Sequence, residues 1–102
     1  MSIQAAFIFL APEADARTHA ALIETPIVHL HVVGVANYAA AVAAVTDLVA
    51  KGVVAIELCA GFGNQGVAEI CRAAGDGIPV GVVRFDPHPA LGFKSGDAIF
   101  AA

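Results

Sequence analysis

Four short apolar runs constrain the fold of this chain more than any other feature. Glycine, proline or charged residues keep each run short. They cover residues 3–10, 27–33, 53–60 and 78–85. Runs of this length are typical of β-strands, and the segments between them carry apolar residues at helical spacing. Strands that alternate with helices favour a parallel sheet, because each crossover is long enough to return the chain to the same edge. The sequence therefore predicts an α/β domain built as strand and helix three times, followed by a last strand.

Capping and stop signals define the expected helices. A first helix is expected between the first two runs, with Asp15 as its N-cap. A second begins after Asn37 and ends at Gly52, which suits the position after a helix. Asp47 and Lys51 lie one turn apart outside its apolar stripe, where an ion pair is expected. The third helix is expected to open at a glycine-rich turn after the third strand.

The composition of each run predicts the strand order. Residues 3–10 and 53–60 are apolar on both faces and suit central strands. Residues 27–33 have one wetter side, and Pro79 stands near the start of the last run, so both suit edges. We therefore expect a small open sheet of four parallel strands in the flavodoxin-like order 2-1-3-4, with helices on both faces in three layers. The order 1-2-3-4, a half-barrel, is the alternative.

Length, apolar content and charge limit the partners. The 102 residues suit one core, so residues 1–102 are expected to form a single domain, with a tail over 86–102 docked on its own chain or on a neighbour. Apolar residues make up 59% and charged residues 14%, which predicts a homo-oligomer. A net charge of −4 argues against nucleic acid and anionic membranes as partners. The apolar runs are too short to span a membrane, and no basic secretory start is present, so a cytoplasmic protein is expected.

The candidate site is the glycine-rich turn GFGNQG at residues 61–66, which follows the third predicted strand. Loops at the carboxyl ends of parallel strands converge, and the free amides at a helix N-terminus attract anions. We therefore expect a small anionic ligand, a carboxylate or a phosphate, at Gly61, Gly63, Asn64 and Gly66, with Asn64 also capping the third helix. The alternative is a tight turn that needs glycine only for its conformation.

Charged side chains at the strand ends complete the predicted site. Glu57 and His88 are the candidate catalytic residues, suited to proton transfer or lyase chemistry on a small carboxylate. Arg84 and Asp86 are further candidate ligand-binding residues, since a guanidinium clamps a carboxylate in two places. Glu57 interrupts an apolar strand, so it must be paired, hydrogen-bonded or protonated, and an ion pair with Arg84 is the structural alternative.

Histidine and cysteine spacing gives weaker signals. His29 and His31 share one face of the second run and, with His88, suggest a metal site, but no third ligand stands at a motif spacing, so no metal ligand is assigned. Cys59 and Cys71 match neither a disulfide framework nor a CxxC motif, which predicts reduced thiols. The cofactor, if any, is left open.

Residues 53–86 resemble the Rossmann dinucleotide-binding unit. GFGNQG matches G-x-G-x-x-G between a strand and a helix, and Asp86 lies twenty residues beyond Gly66. The resemblance implies nucleotide binding, with the glycines under the pyrophosphate and the acid on a ribose hydroxyl. The chain departs from that family because the motif follows the third strand, Phe62 is bulky, and no second half is present.

A second resemblance covers nearly the whole chain. The segments AAFIFLAPEAD, AIELCAGFGNQGVAEI, IPVGVVRFD and HPALGFKSGDAIF resemble a family of small bacterial proteins of about this length, known only as a domain of unknown function. The resemblance implies a free-standing domain in which the turn, the last strand end and the tail belong together. No activity and no catalytic residue come with it.

Three functional hypotheses follow from the sequence. The first is a binder or enzyme for a small anionic metabolite at the 61–66 turn. The second is a structural or interaction module that forms a homo-oligomer without catalysis. The third is a nucleotide-binding or metal-binding protein, and whether the protein is an enzyme is left open.

Overall fold

A five-stranded sheet with helices packed on one face forms the body of the protein. The computed structural model describes residues 2–85 and 87–101. The strands are β1 (Ile3–Leu10), β2 (Ala20–Glu24), β3 (Val28–Val35), β4 (Ala55–Leu58) and β5 (Val80–Val82). The helices are α1 (Tyr38–Ala50), α2 (Asn64–Ala74) and α3 (Gly96–Phe100), with a short 3-10 helix at Pro89–Leu91.

The strand order is β2-β3-β1-β4-β5. Strands β3, β1, β4 and β5 run parallel, and β2 lies antiparallel to β3. The mixed α/β class is confirmed. The prediction of four strands, all parallel, is wrong, because the sheet has five strands and one edge strand is antiparallel to its neighbour. An additional strand, β2, pairs with the outer side of β3, so the strand that was expected at that edge is an interior one.

The segment after β1 is the helix prediction that fails. Asp15 does not cap a helix; its carboxylate accepts a hydrogen bond from the Arg17 amide at 2.9 Å, and a single turn follows. The chain then extends as β2 and reverses through a tight turn, where the Thr25 hydroxyl accepts from the Val28 amide at 2.8 Å and the Thr25 amide donates to the Val28 carbonyl at 2.9 Å. Hairpin pairing with β3 therefore overrides the helical spacing of the apolar residues.

Both crossover helices lie on the same face of the sheet. The connections β3-α1-β4 and β4-α2-β5 step in the same direction across the sheet, and right-handed crossovers in one direction place their helices on one side. Helices α1 and α2 accordingly pack against each other, and α3 packs against α2. Since a strand replaces the helix expected after β1, the described residues form two layers, and the three-layer prediction is wrong.

The hydrophobic core lies between the sheet and the helices. Alternate positions along the strands point toward α1 and α2 because successive strand residues face opposite sides. The sheet contributes Ala6, Ile8, Val33, Val35, Ile56 and Leu58, and the helices contribute Tyr38, Ala41, Val45, Leu48, Ile70, Ala74 and Phe100. Phe100 anchors the end of the tail in the core of its own chain.

The other strand positions form a second surface, which we call the open face. By strand register it comprises Ile3, Ala5, Phe7, Phe9, Ala21, Ile23, Val28, Leu30, Val32, Ala55, Glu57 and Gly81. None of its apolar side chains belongs to the core or to the partly buried residues packed against it. Ile3 and Ile23 are 50% and 52% exposed. One whole side of the sheet therefore presents apolar side chains that no helix among the described residues covers.

Helix α1 forms as the sequence predicts. The Asn37 side chain accepts a hydrogen bond from the Ala40 amide at 2.8 Å and caps the first turn. Lys51 pairs with Asp47 at 2.9 Å, and Gly52 follows the helix with a φ of +103°. This φ lies in the left-handed region, where glycine carries no steric penalty.

Candidate functional site

The glycine-rich turn packs against the C-terminal tail through one carboxylate. Asp97 of α3 accepts hydrogen bonds from the Gln65 amide at 2.9 Å and the Gly66 amide at 3.1 Å, in the first turn of α2. The N-cap of α2 is Gly63, which has no side chain to offer, and the predicted cap Asn64 is instead the first residue of the helix. Asp97 therefore caps α2 from a different helix, with a negative charge at the positive end of the helix dipole.

Tyr38 connects α1 to this arrangement. Its hydroxyl donates to Asp97 at 2.8 Å and accepts from the Gly63 amide at 2.9 Å. The ring is only 1% exposed and stacks on Phe62 with a centroid distance of 5.6 Å, while Phe100 lies 6.4 Å away. We call the two side chains, together with the amides they bind, the Tyr38–Asp97 cluster. It joins α1, the turn and α3 through four hydrogen bonds, which satisfy the buried Tyr38 hydroxyl.

Close approach of the tail explains why the turn is rich in glycine. A Cβ placed on Gly63 would lie 2.5 Å from the Asp97 carboxyl group and 2.6 Å from the Ser95 hydroxyl. A Cβ on Gly66 would overlap the Tyr38 ring, and a Cβ on Gly96 would overlap the Gly61 carbonyl. The glycine spacing that resembles a dinucleotide-binding unit thus accommodates Tyr38 and the chain's own tail.

Burial and hydrogen bonding shift the acidity of both groups in the cluster. Burial raises the pKa of Tyr38, and the hydrogen bond to the Asp97 carboxylate raises it further. Partial burial raises the pKa of Asp97, but the amides of Gln65 and Gly66, the Tyr38 hydroxyl and the charge of Arg84 outweigh burial, so that this pKa falls below its usual value. At neutral pH the cluster therefore holds a phenol and a carboxylate.

Glu57, Arg84 and His88, three of the other predicted site residues, each have different surroundings. Glu57 is exposed on the open face, with no hydrogen bond or ion pair to any described residue, and lines a small cavity that includes neither Arg84 nor His88. Arg84 donates to the Phe62 carbonyl at 3.2 Å, within the turn. The His88 ring accepts from the Ala90 amide at 3.0 Å and caps the 3-10 helix. Asp86 lies outside the described residues, and the ligand-binding and catalytic roles of all these residues stay predictions.

Sequence reasoning missed Tyr38 and Asp97 as partners of the turn. One signal for Asp97 stands in the tail, where Ser95 precedes it by two residues and its hydroxyl accepts from the Asp97 amide at 3.1 Å. Serine in that position is typical of a helix start, and a short capped helix near the chain end suggests a docked tail. Tyr38 read as an ordinary member of the apolar stripe of α1.

The cysteine prediction is confirmed, since Cys59 and Cys71 are free thiols. The Cys59 sulfur accepts from the amides of Leu10 and Gly61, both at 3.4 Å. Over residues 2–85 and 87–101, no three histidine, cysteine or acidic side chains lie close enough to hold a metal ion. Within the same ranges, no helix has the length and apolar content needed to cross a membrane.

Comparison with known protein families gives a match over most of the chain. A family model described as a family of unknown function (DUF6506) matches residues 3–98, which is nearly the whole chain. No curated protein and no solved structure matches. The match therefore brings no assigned activity, substrate or partner.

Substitution of Gly63 tests the role of close approach. We expect Gly63→Ala to lower the free energy of unfolding by about 2 kcal/mol, because it forces the Asp97 carboxylate from the α2 amides. Urea denaturation measures this loss, and limited proteolysis of the tail reports its release. Ala68→Gln is the control, since Ala68 is exposed on α2 and lies outside the open face, and its effect should stay within about 0.5 kcal/mol. Equal effects for the two variants would contradict the close approach.

The single tyrosine makes the cluster measurable by pH titration. We expect the phenolate absorbance of Tyr38 to appear above the usual tyrosine pKa of about 10. The unfolded chain loses this proton first, so the contribution of Tyr38 to stability is lost as pH rises above about 10. Asp97→Asn should lower the Tyr38 pKa, because it removes a neighbouring negative charge. Asp47→Asn, on the exposed side of α1, should leave the pKa unchanged, and a Tyr38 pKa that ignores Asp97→Asn would disprove the coupling.

Proposed function

The chain belongs to the DUF6506 family, a family of unknown function. We propose that it acts as an interaction module that forms a homodimer through the open face. The observation that carries the proposal is the apolar character of that face, which no helix among the described residues covers. Monomeric proteins rarely leave a contiguous apolar surface of this kind in water, because its exposure costs free energy in proportion to its area.

The size of the open face suits a stable interface. Neighbouring strands lie about 4.8 Å apart, and each residue extends a strand by about 3.3 Å. The five strands together therefore give the open face a projected area of roughly 500 Å². The side chains that stand on the face increase its accessible area, which brings it toward the ~800 Å² that each partner buries in a standard complex. The proposed dimer therefore uses an area that this one face can supply.

The chemistry of the open face favours a second copy as its occupant. The only charged member is Glu57, on β4 toward the β5 edge, so the centre formed by β1 and β3 carries no charge. In a two-fold dimer the same surface of each chain contacts its copy. An uncharged apolar centre can pack against its copy without repulsion between like charges. Two sheets pack face to face about 10 Å apart through such side chains. The dimer would then bury the apolar side chains of the open face, which accounts for part of the high apolar content of the chain.

A charge in the centre of the open face tests this proposal. We expect the wild-type chain to elute as a dimer in size-exclusion chromatography with light scattering, and Leu30→Lys to give a monomer, because the new charge would be buried without a partner. Val54→Lys is the matched control, since Val54 is exposed but lies outside the open face. Ile23→Lys, at the half-exposed edge, should weaken the dimer with the far-ultraviolet circular dichroism unchanged.

Three outcomes would overturn the homodimer. One is a wild-type monomer at every soluble concentration. Another is a dimer that Leu30→Lys and Ile23→Lys leave intact while both variants remain folded. The third is a monomer that binds a different protein through Leu30, which would give the open face another occupant.

Binding of a small anion at the turn is a second candidate function, favoured by one observation. The amides of Gln65 and Gly66 already bind a carboxylate, that of Asp97, so the turn has the chemistry for this ligand class. An external anion there would have to replace the Asp97 side chain.

Chemical rescue tests this second candidate. We expect Asp97→Ala to lose thermal stability, and acetate to restore part of the loss by occupying the freed amides and the Tyr38 hydroxyl. Chloride at the same ionic strength is the control for general salt effects. An Asp97→Ala protein that acetate and chloride affect equally would show that the turn does not bind a free carboxylate.

A further inference from the structure

A chain of hydrogen bonds crosses the helix-side face of the sheet near the start of β1. The Gln4 amide nitrogen lies 3.0 Å from Nδ1 of His29, and the Gln4 amide oxygen lies 2.9 Å from Nε2 of His31. On the far side, Nε2 of His29 lies 3.8 Å from the Glu24 carboxylate. The three strands β2, β3 and β1 place these four side chains in one row.

The orientation of the Gln4 amide group determines which ring nitrogens carry protons. An amide oxygen only accepts, so Nε2 of His31 carries a hydrogen, and an amide nitrogen only donates, so Nδ1 of His29 does not. The Glu24 carboxylate supports this orientation, because it faces the Nε2 hydrogen that His29 then has. Neutral His31 is left with an unprotonated Nδ1, and no described residue hydrogen-bonds to that atom. Gln4 and His29 are therefore positioning residues for a hydrogen-bond acceptor on His31.

His31 also lines a cavity of about 440 Å³ between the sheet, α1 and the segment before β2. Its polar lining is Arg17, His31, Asp47 and Lys51, and its apolar lining includes Val33 and Leu48. A volume of this size lies within the range of small-molecule sites, which combine an apolar lining with a few polar groups. Here five apolar side chains accompany one imidazole, two cations and one carboxylate.

The two cations of the cavity are held only by weak surface ion pairs. Arg17 pairs with Asp15 at 3.2 Å, and its side chain is 89% exposed. Lys51 pairs with Asp47 at 2.9 Å, and both side chains are almost two-thirds exposed. Exposed pairs contribute about 0–1 kcal/mol, so either cation can turn to a ligand carboxylate at little cost. The guanidinium can also bind a carboxylate through two hydrogen bonds.

We propose that this cavity binds a small hydroxycarboxylate. The ligand carboxylate pairs with Arg17 and Lys51, its hydroxyl donates to Nδ1 of His31, and its carbon chain lies on Val33 and Leu48. An acceptor at His31 selects a ligand that carries a donor, which separates hydroxy acids from simple carboxylates. Asp47 at the same cavity repels a doubly charged phosphate, which favours a singly charged acid.

The proposed site is independent of the homodimer. It lies on the helix side of the sheet, whereas the open face lies on the other side, so a dimer formed through the open face leaves the cavity accessible. It is also separate from the Tyr38–Asp97 cluster, since none of the residues in that cluster lines it.

Calorimetric titration of the full chain tests the proposal, with glycolate, lactate and β-hydroxybutyrate as probes. We expect at least one of them to bind, with propionate and phosphate about tenfold weaker or more. Propionate lacks the hydroxyl that donates to His31, and Asp47 repels the second charge of phosphate. Arg17→Gln should weaken binding about tenfold, and Arg72→Gln, on the exposed end of α2, should have no effect.

Nitrogen NMR of the histidines provides a second readout. We expect His31 to show a protonated Nε2 and an unprotonated Nδ1, and the bound hydroxy acid to shift the Nδ1 resonance. Gln4→Leu should disturb this tautomer while leaving the fold intact by circular dichroism. Binding of none of the three hydroxy acids, equal affinity for propionate, or unchanged affinity in Arg17→Gln would each overturn the proposal.

Discussion

The handedness of two crossovers determines what this sheet can bury. Strands β3, β4 and β5 are joined by α1 and α2, and both connections advance in the same direction. Right-handed crossovers then place both helices on one side, and only a crossover in the opposite direction would cover the other side. The connection from β1 to β3 is such a step, but it contains the strand β2 in place of a helix. The uncovered apolar face follows from that one local difference.

The sequence predicted the parallel strands and the helix α1 because their signals are local. Apolar runs, the Asn37 cap and the Gly52 stop all act within a few residues. The helix predicted over residues 15–25 was wrong because the structure of this segment depends on its pairing with β3 through the turn at Thr25. The helical spacing of apolar residues carries no information about that pairing. The predicted second layer of helices fails for the same reason, because the chain forms a strand where a helix after β1 was expected.

The candidate site shows a similar division between local and distant information. The glycines at 61, 63 and 66 lie in a strand-to-helix turn, and the nearby amides of Gln65 and Gly66 bind the carboxylate of Asp97, so a ligand anion at this turn stays a prediction. The identity of the carboxylate was beyond a local reading, because Asp97 lies more than thirty residues beyond the amides that it binds. Glu57 was expected to need a partner because a covered strand was expected, and it remains exposed because the face that it occupies has no second layer.

The Asp97 cap links the order of synthesis to the completion of the fold. The ribosome makes the strands and the residues of α2 well before residue 97. During synthesis, the amides in the first turn of α2 therefore lack the Asp97 carboxylate, and the Tyr38 hydroxyl lacks its acceptor. A polypeptide that ends prematurely before this point retains all five strands but not the cap. Such a fragment would expose an unsatisfied helix end and a loosened aromatic cluster, features that proteases and chaperones recognise as signs of incomplete folding.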